Sequence, residues 1–411
     1  MSGSDSGRHV AVLGGGLQGC FIALALAARG ARVTLYDRNA DLLTQAAVVN
    51  EGRMHLGYVY AADTTLATAR MMIRGALAFV PFVDRHVGLS PSDLALSEPT
   101  TYVVHRDSQR PVDELQGYLR EVQRLVLEAT GNRKDAYFGI DVHREPRRWS
   151  AAERDRLFDG SRVVAAFDTP EVAIDPQVLA VAVRERVKAT AAIEIRLQRC
   201  VRAVENERGA LSVVSDGTEG AARERYDHVV NALWDGRLGI DATRGLRPTR
   251  PWIHRFKYGI RFSQPRGRPL PTVGIVLGPF GDLVSYGQGM TYLNWYPTCL
   301  DGISHAVSPP EWTPFPAESR RARIVTDTHR AMAEIILPLR DLDATRLPDC
   351  TVQGGVIVAW GQTDIDDPCS ELHRRYEIGV TSTGGYHSVD PGKLTMTPYF
   401  ADVCVDRIMA G

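Results

Sequence analysis

The stretch "HVAVLGGGLQGCFIALALAARGARVTLYDR", residues 9–38, sets the reading of the whole chain. His9 to Leu13 is a short apolar run ending in glycines, and Leu17 to Arg29 is rich in Ala and Leu and stops at Gly30, so strand, turn and helix follow in order. The turn Gly14-Gly15-Gly16-Leu17-Gln18-Gly19 has the spacing G-x-G-x-x-G. In that spacing Gly14 makes the tight turn, Gly16 lets backbone approach a pyrophosphate, and Gly19 lets helix pack closely on strand. The helix start would then offer unpaired N–H groups and a positive dipole end to phosphate. Arg32 to Tyr36 reads as the second strand, and Asp37 at its end lies 18 residues beyond Gly19, where a carboxylate can accept both hydroxyls of an adenosine ribose. A carboxylate there disfavours a 2′-phosphate and leaves FAD or NAD.

Composition narrows the partners. A chain of 411 residues has room for two domains, and a net charge of -1 with 24% charged residues gives no electrostatic case for nucleic acid or an anionic membrane. A small molecule is the expected partner. The opening residues MSGSDSGRH are polar and run into the first strand without a leader pattern, and no apolar run is long enough to span a bilayer, so a cytoplasmic location is expected. Six cysteines are scattered without C-x-x-C or a histidine at metal spacing, which predicts reduced thiols and no metal site.

Further along, Ala40 to Ala47 is expected to be helical, and Thr64 to Val83 carries a helical apolar pattern behind the glycine-punctuated loop "VVNEGRMHLGYVY". Thr101 to Val104 reads as a strand and Val112 to Thr130 as a charged helix, both assigned to a second domain. A proline-started helix capped by Asp175 follows, then strands and a hairpin through "AIEIRLQRCVRAVENERGALSVVSDG", then the buried strand of "YDHVVNALW". Ile253 to Pro297 predicts an antiparallel sheet, the roof of a substrate pocket.

Three segments resemble one superfamily, the flavoenzymes typified by D-amino acid oxidase and glycine oxidase. They are the opening fingerprint, the segment from Val48 to Phe79 with its His-x-Gly-x-x-Tyr pattern, and residues 370–408 with Gly392-Lys393-Leu394-Thr395. The second is similar to L-2-hydroxyglutarate dehydrogenases and flavin-dependent glycerol-3-phosphate dehydrogenases, the third to the latter group; "HVVNALWDG" also resembles a superfamily strand. This resemblance implies an α/β fold: a Rossmann-like FAD-binding domain with a discontinuous chain path plus an antiparallel-sheet substrate domain, as in two-domain flavoproteins of the glutathione-reductase type. The expected division is 1–83, 160–240 and 345–411 for FAD and 84–159 and 241–344 for substrate. It implies FAD contacts at Gly14, Gly16, Leu17, Gln18, Gly19, Asp37, Arg38, Asn50, Gly52, Arg53, Met54, Val201, Asn231, Gly385, Gly392, Lys393, Leu394 and Thr395, with Thr395 opening the terminal helix. Where the glycerol-phosphate enzymes carry a phosphate-binding arginine this chain has Val59, which removes glycerol 3-phosphate as the expected substrate.

Oxidation of an alcohol or amine carbon needs hydride loss with loss of a proton from oxygen or nitrogen, so a base is sought. His55, on the loop expected to reach the flavin, and His254 are the two candidates, imidazole being suited to proton transfer near neutral pH. Arg255, Arg374 and Lys393 are the candidate anchors for an acidic substrate, with Tyr60 and Tyr286 as further pocket residues and Tyr292, Trp295 and Tyr296 on the same roof. The expected activity is an FAD-dependent oxidase or dehydrogenase acting on an amine or hydroxy compound. The alternatives are an NAD-dependent dehydrogenase, a flavin monooxygenase, or a flavoprotein without catalysis, and covalent flavin attachment through His55 or a cysteine stays open.

Overall fold

The computed structural model describes residues 7–207, 209–218 and 220–410. Residues 1–6, on which the expectation of no leader rests, lie outside it, as do Arg208 and Glu219 in the expected hairpin region. The chain runs β1 (His9–Leu13), α1 (Leu17–Ala28), β2 (Arg32–Tyr36), α2 (Ala67–Val87), β3 (Thr101–His105), α3 (Val112–Thr130), α4 (Ala151–Leu157), β4 (Val163–Asp168), α5 (Pro176–Lys188) and β5 (Ile193–Arg196). There follow β6 (Cys200–Glu207), β7 (Ala210–Gly217), β8 (Gly220–Tyr226), β9 (His228–Asn231), α6 (Arg237–Thr243), β10 (Trp252–Ser263), β11 (Val273–Val276), β12 (Gly281–Ser285) and β13 (Met290–Trp295). The last elements are α7 (Tyr296–Cys299), β14 (Leu300–Ser304), α8 (Glu318–Ala333), β15 (Thr351–Trp360), β16 (Gly379–Thr383), β17 (Tyr386–Asp390) and α9 (Thr397–Ala410).

One sheet has the order β16-β17-β9-β1-β2-β5, parallel throughout except for the antiparallel edge strand β16. Val10 to Leu13 are fully buried, as a central parallel strand covered on both faces requires. Helix α1 covers one face, buried from Leu17 to Leu26 and packed on α5 and α9. Its closeness has a cause: a Cβ at position 19 would stand 1.9 Å from the Gly14 carbonyl oxygen. The second, eight-stranded sheet has the path β14-β10-β13-β12-β11-β3-β4, with β15 paired to β10. A three-stranded antiparallel sheet, β6-β7-β8, completes the sheets.

Several expectations change. Residues 40–47 form turns rather than a helix: Leu43 is left-handed, at φ 59°, and the Asp41 side chain accepts the Leu42 N–H, both incompatible with a continuing helix. Instead the Leu43 N–H bonds the Gly15 carbonyl at 2.9 Å, folding the segment over the glycine turn. Strands β4 and β15, expected in the nucleotide half, pair into the large sheet, whereas α3, expected in the substrate half, buries Leu115, Leu119, Val122 and Val126 in the core beneath the first sheet. The roof strands β10 to β13 pair antiparallel as expected, and β3, from earlier in the chain, joins their sheet by running parallel to β11. Thr395 lies in a short turn of 3-10 helix, Leu394–Met396, and α9 begins two residues later.

Gly19→Ala forces the α1 backbone away from β1 and is expected to destabilise the protein by about 1–3 kcal/mol. Urea denaturation checks this, and an unchanged midpoint would show that the approach relaxes freely.

Candidate cofactor and active site

At the carboxyl ends of β1, β2 and β9 a cavity runs from the glycine turn to the underside of the large sheet. Gly14 has φ 100°, and a Cβ there would meet the Ala232 carbonyl at 2.7 Å. At Gly16 a Cβ would meet nothing within 4 Å, so this position opens onto free space beside the N-terminus of α1, which no side chain caps. That is the arrangement a phosphate needs. Asp37 lines the cavity, with one oxygen accepting from the Gly15 N–H at 2.8 Å and the other from Asn39 N at 2.7 Å and Nδ2 at 2.8 Å. Burial pushes its pKa up against these bonds, and a hydroxyl donor would relieve that penalty. Arg38 turns along the wall to Asp235 at 3.1 Å and Gln45 at 2.9 Å. Leu17, Gln18, Asn50, Arg53, Gly392, Lys393 and Leu394 also line the cavity. Within the wall, Gln18 Oε1 and Arg53 Nη1 are buried with no partner among the described residues.

The far end gathers titratable side chains. His55 lines the cavity and is buried; its N–H donates to Thr395 Oγ1 at 3.0 Å, and Thr395 donates in turn to the Arg53 carbonyl at 3.2 Å. This hydroxyl joins the loop bearing His55 to the C-terminal segment. The His55 Nδ1 lies 3.3 Å from Glu171 Oε1, and its Nε2 lies 3.9 Å from Glu51 Oε1. Burial lowers the imidazole pKa, and the carboxylates oppose that shift. Arg53 binds Asp282 at 2.9 Å and covers the Tyr102 ring.

Cations gather opposite. Lys257 of β10 and Lys393 both line the cavity, and neither ammonium has an ion-pair partner within 4.0 Å among the described residues. Burial lowers the Lys393 pKa to about 8, with Glu51 opposing and Arg375, Lys257 and Arg255 adding to the shift. The same lysines, against the burial penalty, hold Glu51 down at about 2. Arg255 is tied to Asp364 at 3.0 Å and Tyr296 at 2.7 Å. Arg375, buried, donates to the Leu372 and Val358 carbonyls, and burial followed by the nearby Arg255 brings its pKa down to about 10.

Not every expected residue reaches the cavity. Arg374 is exposed and bound to Glu371, so the buried cation of the pair is its neighbour Arg375. His254 is a correction of the same kind: strand alternation puts it with Phe256 and Tyr258 on the face of β10 opposite Arg255 and Lys257, and it does not line the cavity. Gly385 sits before β17, whereas the cavity lies beyond its other end at Pro391 and Gly392, roughly 15 Å along a five-residue strand. Val201 packs in the core formed by Ala11, Leu13 and Tyr36. Asn231 is turned inward to the Arg237 carbonyl, Asp241 and Tyr386. Gly52, Met54, Gly19 and Thr395 act from behind, Gly52 and Met54 through backbone bonds to Ile174 and Val172. Tyr60 stacks edge-on between His55 and His373, and Tyr286 donates to the Glu51 carbonyl at 3.1 Å.

Residues that sequence reasoning passed over include Glu51, Glu171, Lys257, Trp234 and Arg375. Trp234, left-handed at φ 56°, lines the cavity and donates from its indole to Val356 at 2.7 Å. The alternation of Arg255 and Lys257 with Phe256 and Tyr258 in "RFKY", which sets both cations on one strand face, was the available signal for that position. Glu171 carries no comparable mark in sequence.

The fit to a dinucleotide is testable at one side chain. Asp37→Ala removes the buried carboxylate from the cavity wall and, if that acid holds a ribose hydroxyl, is expected to weaken retention of the bound dinucleotide by roughly 1.5–3 kcal/mol; flavin absorbance after gel filtration reads the loss.

A family model described as FAD dependent oxidoreductase (DAO) matches residues 9–282. Among solved structures, glycine oxidase from Geobacillus kaustophilus superposes with a TM-score of 0.68 at 14% identity, covering 98% of this chain and 95% of that one. Iminodiacetate oxidase from Chelativorans sp. BNC1 gives 0.68 at 16% identity with the same coverage. Reduced L-alpha-glycerophosphate oxidase from Mycoplasma pneumoniae with FAD bound gives 0.62 at 16% identity, covering 98% and 94%. Curated relatives match over less: FAD-dependent monooxygenase FPY4 of Fusarium mangiferae is 36% identical over 83 residues, 20% of this chain and 21% of its own length. Kynurenine 3-monooxygenase of Xanthomonas campestris is 35% identical over 81 residues, 18% of either chain. The alignments thus span about a fifth of these curated relatives. An open glycine cradle, an acid at the ribose position and unpartnered polar atoms in the wall fit FAD. With the family model covering well over half of its length, the chain belongs to the DAO family of FAD dependent oxidoreductases.

Proposed function

We propose that this protein oxidises a small anionic substrate at a carbon bearing an amine or a hydroxyl group. The observation that carries this reading is the meeting, on one cavity, of a buried imidazole with two ammonium groups that have no counter-ion within 4.0 Å among the described residues. In this reading the Gly14–Gly16 turn and the start of α1 hold the pyrophosphate of FAD and Asp37 its ribose. FAD supplies the acceptor for a hydride from the substrate carbon.

The remaining work falls to the chain. The His55 Nε2 is free to take the proton leaving nitrogen or oxygen, being too far from Glu51 for a hydrogen bond. Lys257 and Lys393 supply fixed positive charge for a carboxylate, with Arg375 and the Arg255–Asp364 pair behind them. Asp364 neutralises Arg255, Glu51 opposes Lys257 and Lys393, and the Asp390 that reaches Arg375 is itself paired with Arg237, which leaves a positive excess in a low-dielectric site. The Tyr296 hydroxyl, bound to both Arg255 and Asp364, keeps that pair from swinging across the substrate space.

Anaerobic bleaching of the flavin with a panel of amino acids, hydroxy acids and neutral amines tests the proposal. Acids are expected to bleach it and neutral amines to fail. The reverse result rejects the anionic class. His55→Asn is expected to keep the flavin and slow its reduction by roughly 10²- to 10⁴-fold, whereas His254→Asn leaves reduction unchanged. Acetate, used as a simple carboxylate probe, is expected to perturb the flavin spectrum with an affinity that falls as pH rises through about 8, where Lys393 loses its proton. Lys393→Met should remove that pH dependence.

A further inference from the structure

Glu171 lies on the strand-to-helix connection between β4 and α5, outside the cavity lining, and none of its atoms is exposed. An ionised carboxylate in such a position needs donors on its oxygens. Its Oε2 accepts the Leu56 N–H at 2.7 Å, and its Oε1 accepts the Tyr102 hydroxyl and faces His55 Nδ1 at 3.3 Å. Burial would raise its pKa, yet the bonds from His55 and Tyr102 and the charge of Arg53 bring it below the ordinary glutamate value.

From this geometry we infer that Glu171 is the positioning residue of a His55–Glu171 dyad, fixing the proton of His55 on Nδ1 and leaving Nε2 as a proton acceptor turned toward the cavity. A carboxylate oxygen can only accept, so a lone pair on Nδ1 at 3.3 Å would face like charge density; a proton on Nδ1 turns the same contact into a charge-assisted bond. On the other side, Glu51 is 3.9 Å from Nε2 and so does not hold a proton there by hydrogen bonding. The Tyr60 ring packs edge-on against the imidazole at 5.3 Å, and the backbone bond to Thr395 holds the loop that carries it. Charged groups reach the imidazole from three segments: Glu171 and Glu51 favour its protonated form, and Lys393 disfavours it. Glu171 also ties Leu56 into the same bond set, so the ring and the loop that carries it share one anchor. The consequence for catalysis rests on His55 being the base, but the dyad itself does not.

The test uses FAD-loaded full-length protein labelled with ¹⁵N at histidine, with the His55 signals identified by their loss in His55→Asn. Long-range ¹H–¹⁵N spectra report which ring nitrogen carries the proton. The expected result in the parent protein is a neutral His55 protonated on Nδ1; protonation on Nε2 overturns the inference without any variant being needed. In Glu171→Gln the His55 titration is expected to move to lower pH, because a neutral amide no longer stabilises the imidazolium, and Glu171→Asp, which keeps the charge, should recover part of the shift. A titration unchanged in Glu171→Gln also overturns it. Anaerobic reduction separates this inference from the functional reading: an Nδ1-protonated, Glu171-dependent His55 in a protein whose His55→Asn variant reduces at the parent rate keeps the dyad and removes the base. Slow reduction in His55→Asn with a His55 titration indifferent to Glu171 does the opposite.

Discussion

The close approach of α1 to β1 is the constraint on which the rest of the structure depends. The Gly14 N–H bonds the Tyr36 carbonyl at 2.9 Å, and the space where a side chain at 19 would stand is filled by the Gly14 carbonyl. Because the helix starts this close to the strand ends, its unpaired amides, the Asp37 carboxylate and the turn over Ala232 converge within one cavity. A helix displaced by one methyl group would widen the turn and move those amides away from the acid. The folding of residues 40–47 back onto Gly15, in place of a helix, belongs to the same packing, since the Leu43 N–H takes the Gly15 carbonyl that faces it.

What the sequence made legible follows from how local each signal is. The βαβ unit, the Asp175 cap and the helix Val112–Thr130 are written in residues a few positions apart, and the structure has them where they were read. The glycine-turn half of the cavity was legible for the same reason: turn, helix start and acid occupy one continuous segment. The helix expected at residues 40–47 failed because a tertiary bond to Gly15 and a left-handed Leu43 override local propensity. Sheet membership of β4 and β15 is a pairing over long sequence distance, which no local pattern carries.

The end of the cavity around His55 was less legible, and adjacent residues show why. Arg374 and Arg375 are chemically alike in sequence, yet one ends in solvent and the other is buried against two carbonyls. His254 and Arg255 differ by one position on a strand, which is enough to send them to opposite faces. Glu171 is recognisable only once its three donors, on two other segments of the chain, surround it. Residue type narrows the candidates, and the direction of each side chain decides among them.

The Thr395 hydroxyl that joins His55 to Arg53 has a bearing on biosynthesis. The cavity takes its walls from residues as early as Gly14 and as late as Thr397, so the chain through Thr397 must leave the ribosome before the two ends of the site can meet. Until then the glycine turn and its helix can form, but the loop bearing His55 lacks its anchor. A nascent chain stalled before Pro391 would therefore carry a nucleotide-binding motif with no enclosed site to close around it.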